Sequence, residues 1–156
     1  QRTRDERARL IVDTSGQPLK EAVRGGVFLI KPNMREVQSL TDEEITSEDD
    51  LRRLGDELLE RCSCHAIVVS LGAGGAFLMT GDIRRHFSSP TVPIRSKVGA
   101  GDSMTAGIVY GLTDGKPVEE AVRLGIAAGA AAVMTPGSEL CRREDTFRLY
   151  EQVEPV

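Results

Sequence analysis

Apolar residues along this chain come in short blocks that alternate between two periods. Leu10-Ile11-Val12, Val27-Phe28-Leu29-Ile30 and Ala66-Ile67-Val68-Val69 are continuous apolar runs, closed by Asp13, by Lys31-Pro32-Asn33 and by Ser70. Continuous runs of this length read as strands buried on both faces, as in parallel sheets. Between them the spacing lengthens to helical. Pro18 opens a short helix to about Arg24, and Gly25-Gly26 stops it. Asn33 is a good cap for a helix through about Leu40, and Glu36 stands three residues on, as in a capping box. Ser47-Glu48-Asp49-Asp50 starts a third helix with Leu51, Leu54, Leu58 and Leu59 as its stripe, ending near Cys62. This rhythm predicts a parallel α/β sheet with right-handed crossovers.

The second half reads differently. Residues 76–79 and 83–87 flank Thr80-Gly81-Asp82 and predict a hairpin. Residues 88–95, with Pro90 and Pro93, form an extended connector, and a helix follows over 103–112. Pro117 takes the first position of the next helix, with Glu119 and Glu120 at its positive end. That helix runs into the small residues 127–132, which implies tight helix packing or close approach of a ligand, and Thr135-Pro136-Gly137 ends it. A last amphipathic helix spans 144–152, and no internal repeat is visible.

The 156 residues suit one domain or part of a larger one, and 40% hydrophobic with 28% charged residues is an ordinary globular composition. Twenty basic against 24 acidic residues give a net charge of −4, so neither a nucleic-acid nor a membrane partner is expected. No window approaches the ~18 apolar residues of a membrane span, and no signal peptide is visible. Cys62, Cys64 and Cys141 are an odd set without framework spacing, which reads as reduced thiols and a cytoplasmic setting. Cys62-Ser63-Cys64-His65 lacks the second ligand pair of a zinc site, and His65 and His86 read as structural or solvated. The chain opens on Gln1 and the charged run Arg2-Thr3-Arg4-Asp5-Glu6-Arg7 in mid-helix style, without an initiator Met, which reads as a fragment.

The stretch with most chemistry is Val98-Gly99-Ala100-Gly101-Asp102-Ser103-Met104. Small residues allow close approach of a ligand, and a helix starting there would aim unpaired N–H groups at an anion. Asp102 beside such amides can take a proton from a hydroxyl while the amides stabilise developing negative charge. The alternative is a Gly-rich turn with Asp102 as a first-turn dipole partner. Lys31, Asn33, Ser70, Gly72 and the 99–102 turn all fall just beyond strands or connectors, where open α/β sheets bind ligands. Lys31 can bind a nucleotide or end a strand, Asn33 can cap or bind, and Glu36 can reach a hydrated Mg²⁺ through water. The glycines of 72–75 fit neither a Walker loop nor a dinucleotide fingerprint, and by themselves mark a turn.

Lys31-Pro32-Asn33-x-x-Glu36, Ser70-Leu71-Gly72-x-x-Gly75-Ala76 and 98–103 together resemble the ribokinase-like (PfkB) sugar kinases. Asp13-Thr14-Ser15-Gly16 and Gly137-x-x-Leu140-Cys141 look like the hexose-phosphate branch, with the minor bacterial 6-phosphofructokinases. The resemblance implies a three-layer α/β sandwich with a mostly parallel sheet, of which residues 1–156 would be the C-terminal nucleotide-binding and catalytic portion. It implies ATP-dependent phosphorylation of a hexose phosphate, foremost fructose 6-phosphate to the 1,6-bisphosphate, with 1-phosphofructokinase, tagatose-6-phosphate kinase and a non-catalytic nucleotide-binding regulatory module as alternatives. Asp102 would be the base, and the amides of Gly99, Ala100 and Gly101 the anion hole. Asn33 and Glu36 would organise Mg²⁺ and phosphates, while Lys31, Asn33, Ser70, Gly72 and Gly75 match nucleotide positions. K⁺ would sit near Ser96, Val98, Ala132, Thr135 and Gly137. Lys97 departs from the Thr common in relatives. Members run to about twice this length and are often homodimers, their N-terminal half carrying most sugar contacts and a lid, so the chain alone would be nearly inactive.

Overall fold

The computed structural model describes residues 8–156, so the opening run read above as Gln1 to Arg7 lies outside the described residues. The strands are β1 (Ile11–Val12), β2 (Leu29–Ile30), β3 (Ala66–Ser70), β4 (Ala76–Thr80) and β5 (Arg84–Phe87). The helices are α1 (Gly16–Gly25), α2 (Met34–Thr41), α3 (Glu48–Arg61), α4 (Ala100–Thr113), α5 (Val118–Val133) and α6 (Arg143–Tyr150). Sheet order follows chain order, β1-β2-β3-β4-β5. The chain divides into two compact units, one running to Ser70 and including Phe77–Arg84, the other made of Leu71–Ala76 and Arg85–Val156.

In the first unit β1, β2 and β3 are parallel, with Val12 paired to Ile30 and Ile30 to Ile67. Leu29, Ile30 and residues 66–69 of β3 are fully buried, as their unbroken apolar runs require. The first two strands are shorter than the apolar runs that predict them, since Val27 and Phe28 stay outside β2. Helix α1 opens at Gly16, ahead of Pro18, because Gly16 takes a positive φ of 62° with Ser15 at the cap. On α3, Leu51, Leu54 and Leu58 are buried as expected, but the fourth buried position is Gly55 rather than the half-buried Leu59. A Cβ at Gly55 would lie 1.9 Å from the Met79 sulfur, so β4 occupies the space a side chain would need.

The second unit is helical. α4 packs on α5 and α5 on α6. The C-terminal residues turn back along β5, with Val156 N–H donating to His86 O (2.9 Å) and Ser88 N–H to Glu154 O (3.0 Å). Pro117 proves to be the cap of α5 rather than its first residue: its carbonyl accepts from Ala121 N–H at 3.0 Å. α4 begins at Ala100, three residues before the expected start, because Gly99 reverses the chain with φ 77° and its carbonyl accepts from Ser103 N–H at 2.8 Å. No helix among the described residues is long and apolar enough to cross a membrane.

The start of α3 is fixed by a carboxylate. Asp50 Oδ2 accepts from the Thr46 hydroxyl (2.8 Å), the Thr46 N–H, the Ser47 N–H and the Ser47 hydroxyl (each 3.0 Å). The Thr46 hydroxyl, then the Thr46 amide and the Ser47 hydroxyl, bring its pKa down from an ordinary 3.8 to about 2. A carboxyl held below its unfolded value stabilises the fold above that value, and the contribution fades as pH falls from 3.8 towards 2. An NMR titration of the Asp50 carboxyl and the Thr46 and Ser47 amides is therefore expected to show a midpoint near 2; a midpoint at 3.8 would mean the bonds are not held in solution.

Candidate functional site

Parallel pairing of β1 and β2 brings the residues that follow them side by side. Lys31 N–H donates to Val12 O at 3.1 Å, and Lys31 Nζ lies 3.1 Å from Asp13 Oδ2. The lysine side chain is only 6% exposed and the aspartate 29%. Burying an ammonium is expensive unless a carboxylate and hydrogen bonds replace its water, and Asp13 does this. Sequence reading placed Lys31 among the site residues but not Asp13, which appeared only as a strand end and a motif member.

Ser70 N–H donates to Pro32 O at 2.9 Å, and Asn33 and Ser70 form a parallel bridge. Lys31, Asn33 and Ser70 thus gather at the carboxyl ends of β2 and β3. The capping box is present: Glu36 N–H donates to Asn33 Oδ1 at 3.0 Å, and Asn33 N–H donates to Glu36 Oε2 at 2.8 Å. Each of these side chains is oriented by the other, so a ligand would meet them already in place. A cavity of about 210 Å³ opens beside the box, lined by Gly16, Lys20, Asn33, Arg35, Glu36 and Ser39 among others. Glu36 fits a water-mediated Mg²⁺, since the box holds one of its two oxygens in a cavity with room for water.

In the second unit, residues Gly72–Gly74 form a single 3-10 turn closed by Leu71 N–H to Gly75 O at 2.9 Å. Gly75 has φ 91°, and a Cβ there would stand 2.0 Å from the Phe87 carbonyl oxygen. The backbone alone requires glycine at this position. Gly72 differs, since a Cβ there would meet nothing within 4 Å. His86 Nε2 hydrogen-bonds Gly74 O at 2.8 Å, and in the first unit His65 stacks on Phe28 with centroids 4.9 Å apart, so both histidines have structural partners.

Because α4 starts at Ala100, the N–H groups of Ala100, Gly101 and Asp102 belong to its first turn and have no partner within the helix. Gly99, the cap, leaves open space before them. Asp102 is exposed in that turn, and among the described residues its carboxylate takes no hydrogen bond or ion pair. A first-turn carboxylate free of protein partners, beside three free amides, is equipped to receive a proton next to a bound anion. Asp102 as a dipole partner of α4 fits the same placement, and that role leaves its carboxylate available for others.

The residues read as K⁺ positions lie in the second unit, on two stretches the structure ties together. The N–H groups of Arg95 and Ser96 both donate to Val133 O, at 2.8 and 3.2 Å. Ser96 Oγ accepts from Val98 N–H at 3.2 Å. Thr135 is buried, its hydroxyl 2.7 Å from Ala132 O and 2.8 Å from Glu139 O. The Ala132 carbonyl also accepts Thr135 N–H at 3.1 Å, so it is engaged in ending α5. Gly137 follows with φ 60°.

These features place the chain in a class first. It aligns with the crystal structure of phosphofructokinase-2 from Escherichia coli in complex with potassium at TM-score 0.88 and 38% identity, over 93% of this chain and 47% of that one. The fold is ribokinase-like. A model described as pfkB family carbohydrate kinase matches residues 2–145, and the chain belongs to that family. It is 42% identical over 142 residues to the ATP-dependent 6-phosphofructokinase isozyme 2 of Mycobacterium tuberculosis, covering 91% of this chain and 42% of that protein. It is 34% identical over 146 residues to the 1-phosphofructokinase of Borreliella burgdorferi, covering 93% of this chain and 47% of that protein. The chain spans less than half the length of these relatives.

The Lys31–Asp13 pair yields a stability prediction. Asp13→Ala strands a buried ammonium and is expected to cost about 1–3 kcal/mol, the usual penalty for an unsatisfied buried donor, with Asp13→Asn milder because its amide oxygen still accepts. Urea unfolding checks this, and a change no larger than at an exposed site would show that the pair does not hold Lys31.

Proposed function

We propose that this chain is the C-terminal, nucleotide-binding and catalytic portion of an ATP-dependent hexose-phosphate kinase, with fructose 6-phosphate as the acceptor. The observation that carries the reading is the uncommitted Asp102 carboxylate in the glycine-started first turn of α4. Family membership and relatives named as phosphofructokinases support the same direction.

In this reading Asp102 accepts the proton of the attacking sugar hydroxyl, and the first-turn amides of Ala100, Gly101 and Asp102 face the charge that grows on the transferred phosphoryl group. Gly99 keeps that approach clear. Lys31, Asn33 and Ser70 contact the nucleotide; Lys31 would do so as a cation already fixed by Asp13. Gly72 leaves room for close approach of the nucleotide. Mg²⁺ would screen the phosphate charges, with Glu36 holding it through water, and K⁺ would sit near Ser96, Val98, Ala132, Thr135 and Gly137. The whole protein would be a cytoplasmic homodimer using ATP and a sugar phosphate.

The test is a sugar-phosphate panel with ATP and Mg²⁺ on the gene product that carries this chain. Turnover of fructose 6-phosphate is expected to exceed that of fructose 1-phosphate and tagatose 6-phosphate. ATP binding with turnover of none of them would overturn the kinase reading in favour of a regulatory nucleotide-binding protein.

Asp102→Asn is expected to lower kcat by about 10²–10⁴-fold, the usual share of general-base catalysis, with ATP affinity nearly unchanged. Calorimetric ATP binding beside steady-state rates checks this; a parallel loss of affinity and rate would contradict the assignment.

A further inference from the structure

Helix α4 has more apolar surface than its neighbours cover. Of its 14 residues only Asp102 is charged. Ser103, Met104, Gly107, Ile108 and Gly111 are buried, and α5 packs on that side. The opposite side carries Ala106, Val109, Tyr110 and Thr113, all exposed. Val109 is 40% exposed and Tyr110 47%. A surface helix keeps charged and polar residues on its outer face, whereas a helix apolar all round belongs in an interior. Single exposed apolar residues are ordinary, but these stand three and four apart and form one stripe. The Tyr110 ring extends the patch onto α6, edge-to-face with Phe147 at 6.4 Å between centroids. Phe147 is itself 37% exposed, and the Arg143 guanidinium lies 5.5 Å over its ring at the border. An apolar centre with a cationic rim is the layout of an interface.

We propose that this face seats an apolar helix from the part of the complete protein outside residues 1–156, and that its docking completes the site at Asp102. The inference rests on the reading of this chain as the C-terminal portion of a kinase. The relatives that match more than nine-tenths of this chain devote less than half of their own length to the match. A complete protein of that size holds enough further chain to cover the face. A helix suits the stripe because residues three and four apart form ridges that a second helix fills, and Ala106 and Thr113 are small enough for close approach. A second copy of this chain suits it less. Stripes packed antiparallel would set Asp102 of one copy near Asp114 of the other, and parallel ones would set Asp102 near Asp102. Either way carboxylate faces carboxylate, which opposes association.

The functional consequence comes from Asp102, which stands four residues before Ala106 and so heads the same stripe. A helix lying along Ala106, Val109 and Thr113 ends beside that carboxylate. Groups at its end would stand where the acceptor hydroxyl has to be presented to the base.

The test places single cysteines, Ala106→Cys and Val109→Cys, in the gene product that carries this chain. Alkylation rates are measured on the native and the urea-unfolded protein, at high and low protein concentration. Cleavage after Lys97 and Arg123 puts both positions on a peptide without a native cysteine. Each position is expected to react roughly tenfold or more slowly in the native protein, as a group reached only by opening does. Native rates near the unfolded rate would overturn the proposal, as would protection that is lost on dilution, which would assign the face to a second copy. Should either variant fail to fold, hydroxyl-radical labelling of Tyr110 in the unmodified protein is read in the same way. Neither readout needs turnover. An inactive protein with 106 and 109 protected would remove the kinase reading and leave the docking, while sugar turnover with both positions open would do the reverse.

Discussion

The second unit depends on how closely α4 and α5 approach, and glycines set that distance. A Cβ on Gly107 would lie 2.8 Å from the Gly125 Cα, one on Gly111 2.8 Å from the Ala121 Cα, and one on Gly125 2.7 Å from the Met104 carbonyl oxygen. A backbone atom stands within 3 Å at each position, joined at Gly125 by the Ile108 side chain at 2.6 Å, so a larger residue there would have to push the helices apart. The small residues of α5 continue to Gly129, where a Cβ would come 3.1 Å from the carbonyl of Ala100. The packing therefore reaches the residue at which α4 starts. Asp102 is exposed, yet it stands on a turn backed by the close α4–α5 contact, the support a positioned carboxylate needs.

In the first unit the governing constraint is register. Pairing Val12 with Ile30 makes β1 and β2 end together, and pairing Ile30 with Ile67 lets β3 run on to Ser70 beside the residues that leave β2, so the polar residues that follow meet at one edge. Asp13 and Lys31 meet there as an ion pair, and Asn33 and Ser70 meet as a bridge. Pro32 contributes in its own way. It has no N–H to give, but its carbonyl accepts from Ser70 and keeps the β2 exit aligned with β3 beyond the last paired residue. The box between Asn33 and Glu36 then turns the chain into α2, which starts at Met34, three residues after Lys31.

What the sequence made legible was local. Both helix caps with reciprocal bonds, Asn33 with Glu36 and Ser47 with Asp50, depend on residues three apart, and the structure bears out both helix starts. The hairpin about Gly81-Asp82 was equally readable from its turn residues. The misreadings share a cause in contacts distant along the chain. Leu59 satisfied the leucine pattern, but Met79 chose Gly55 for the buried face. Sequence reading starts α4 late because Gly99 and Gly101 lower helix propensity, whereas the Gly99 turn, whose carbonyl accepts from Ser103 N–H, starts the helix at Ala100. Asp13 as the partner of Lys31 required knowing which strands pair and in what register. Gly75 carried a motif reading, and the nearby Phe87 carbonyl gives a backbone reason for glycine there that the sequence did not show.

A limit on specificity follows from the chemistry of Asp102. A carboxylate in a first turn removes a proton from whichever hydroxyl is presented to it, and amides beside it stabilise charge on any transferred phosphoryl group. Neither group reads the rest of the sugar. Relatives named for two different phosphofructokinase activities match more than nine-tenths of this chain and less than half of their own length. If Asp102 is the base, discrimination between acceptors has to come from groups that bind the sugar phosphate away from the reacting oxygen, through differential transition-state binding. On the proposed reading the residues placed above would supply the base, the amides and the nucleotide contacts, and none of these is required to differ between a 1-phosphate and a 6-phosphate substrate. On the proposed reading, then, the residues of this chain would account for the reaction type, while the acceptor's identity would rest on the groups that hold the rest of the sugar phosphate.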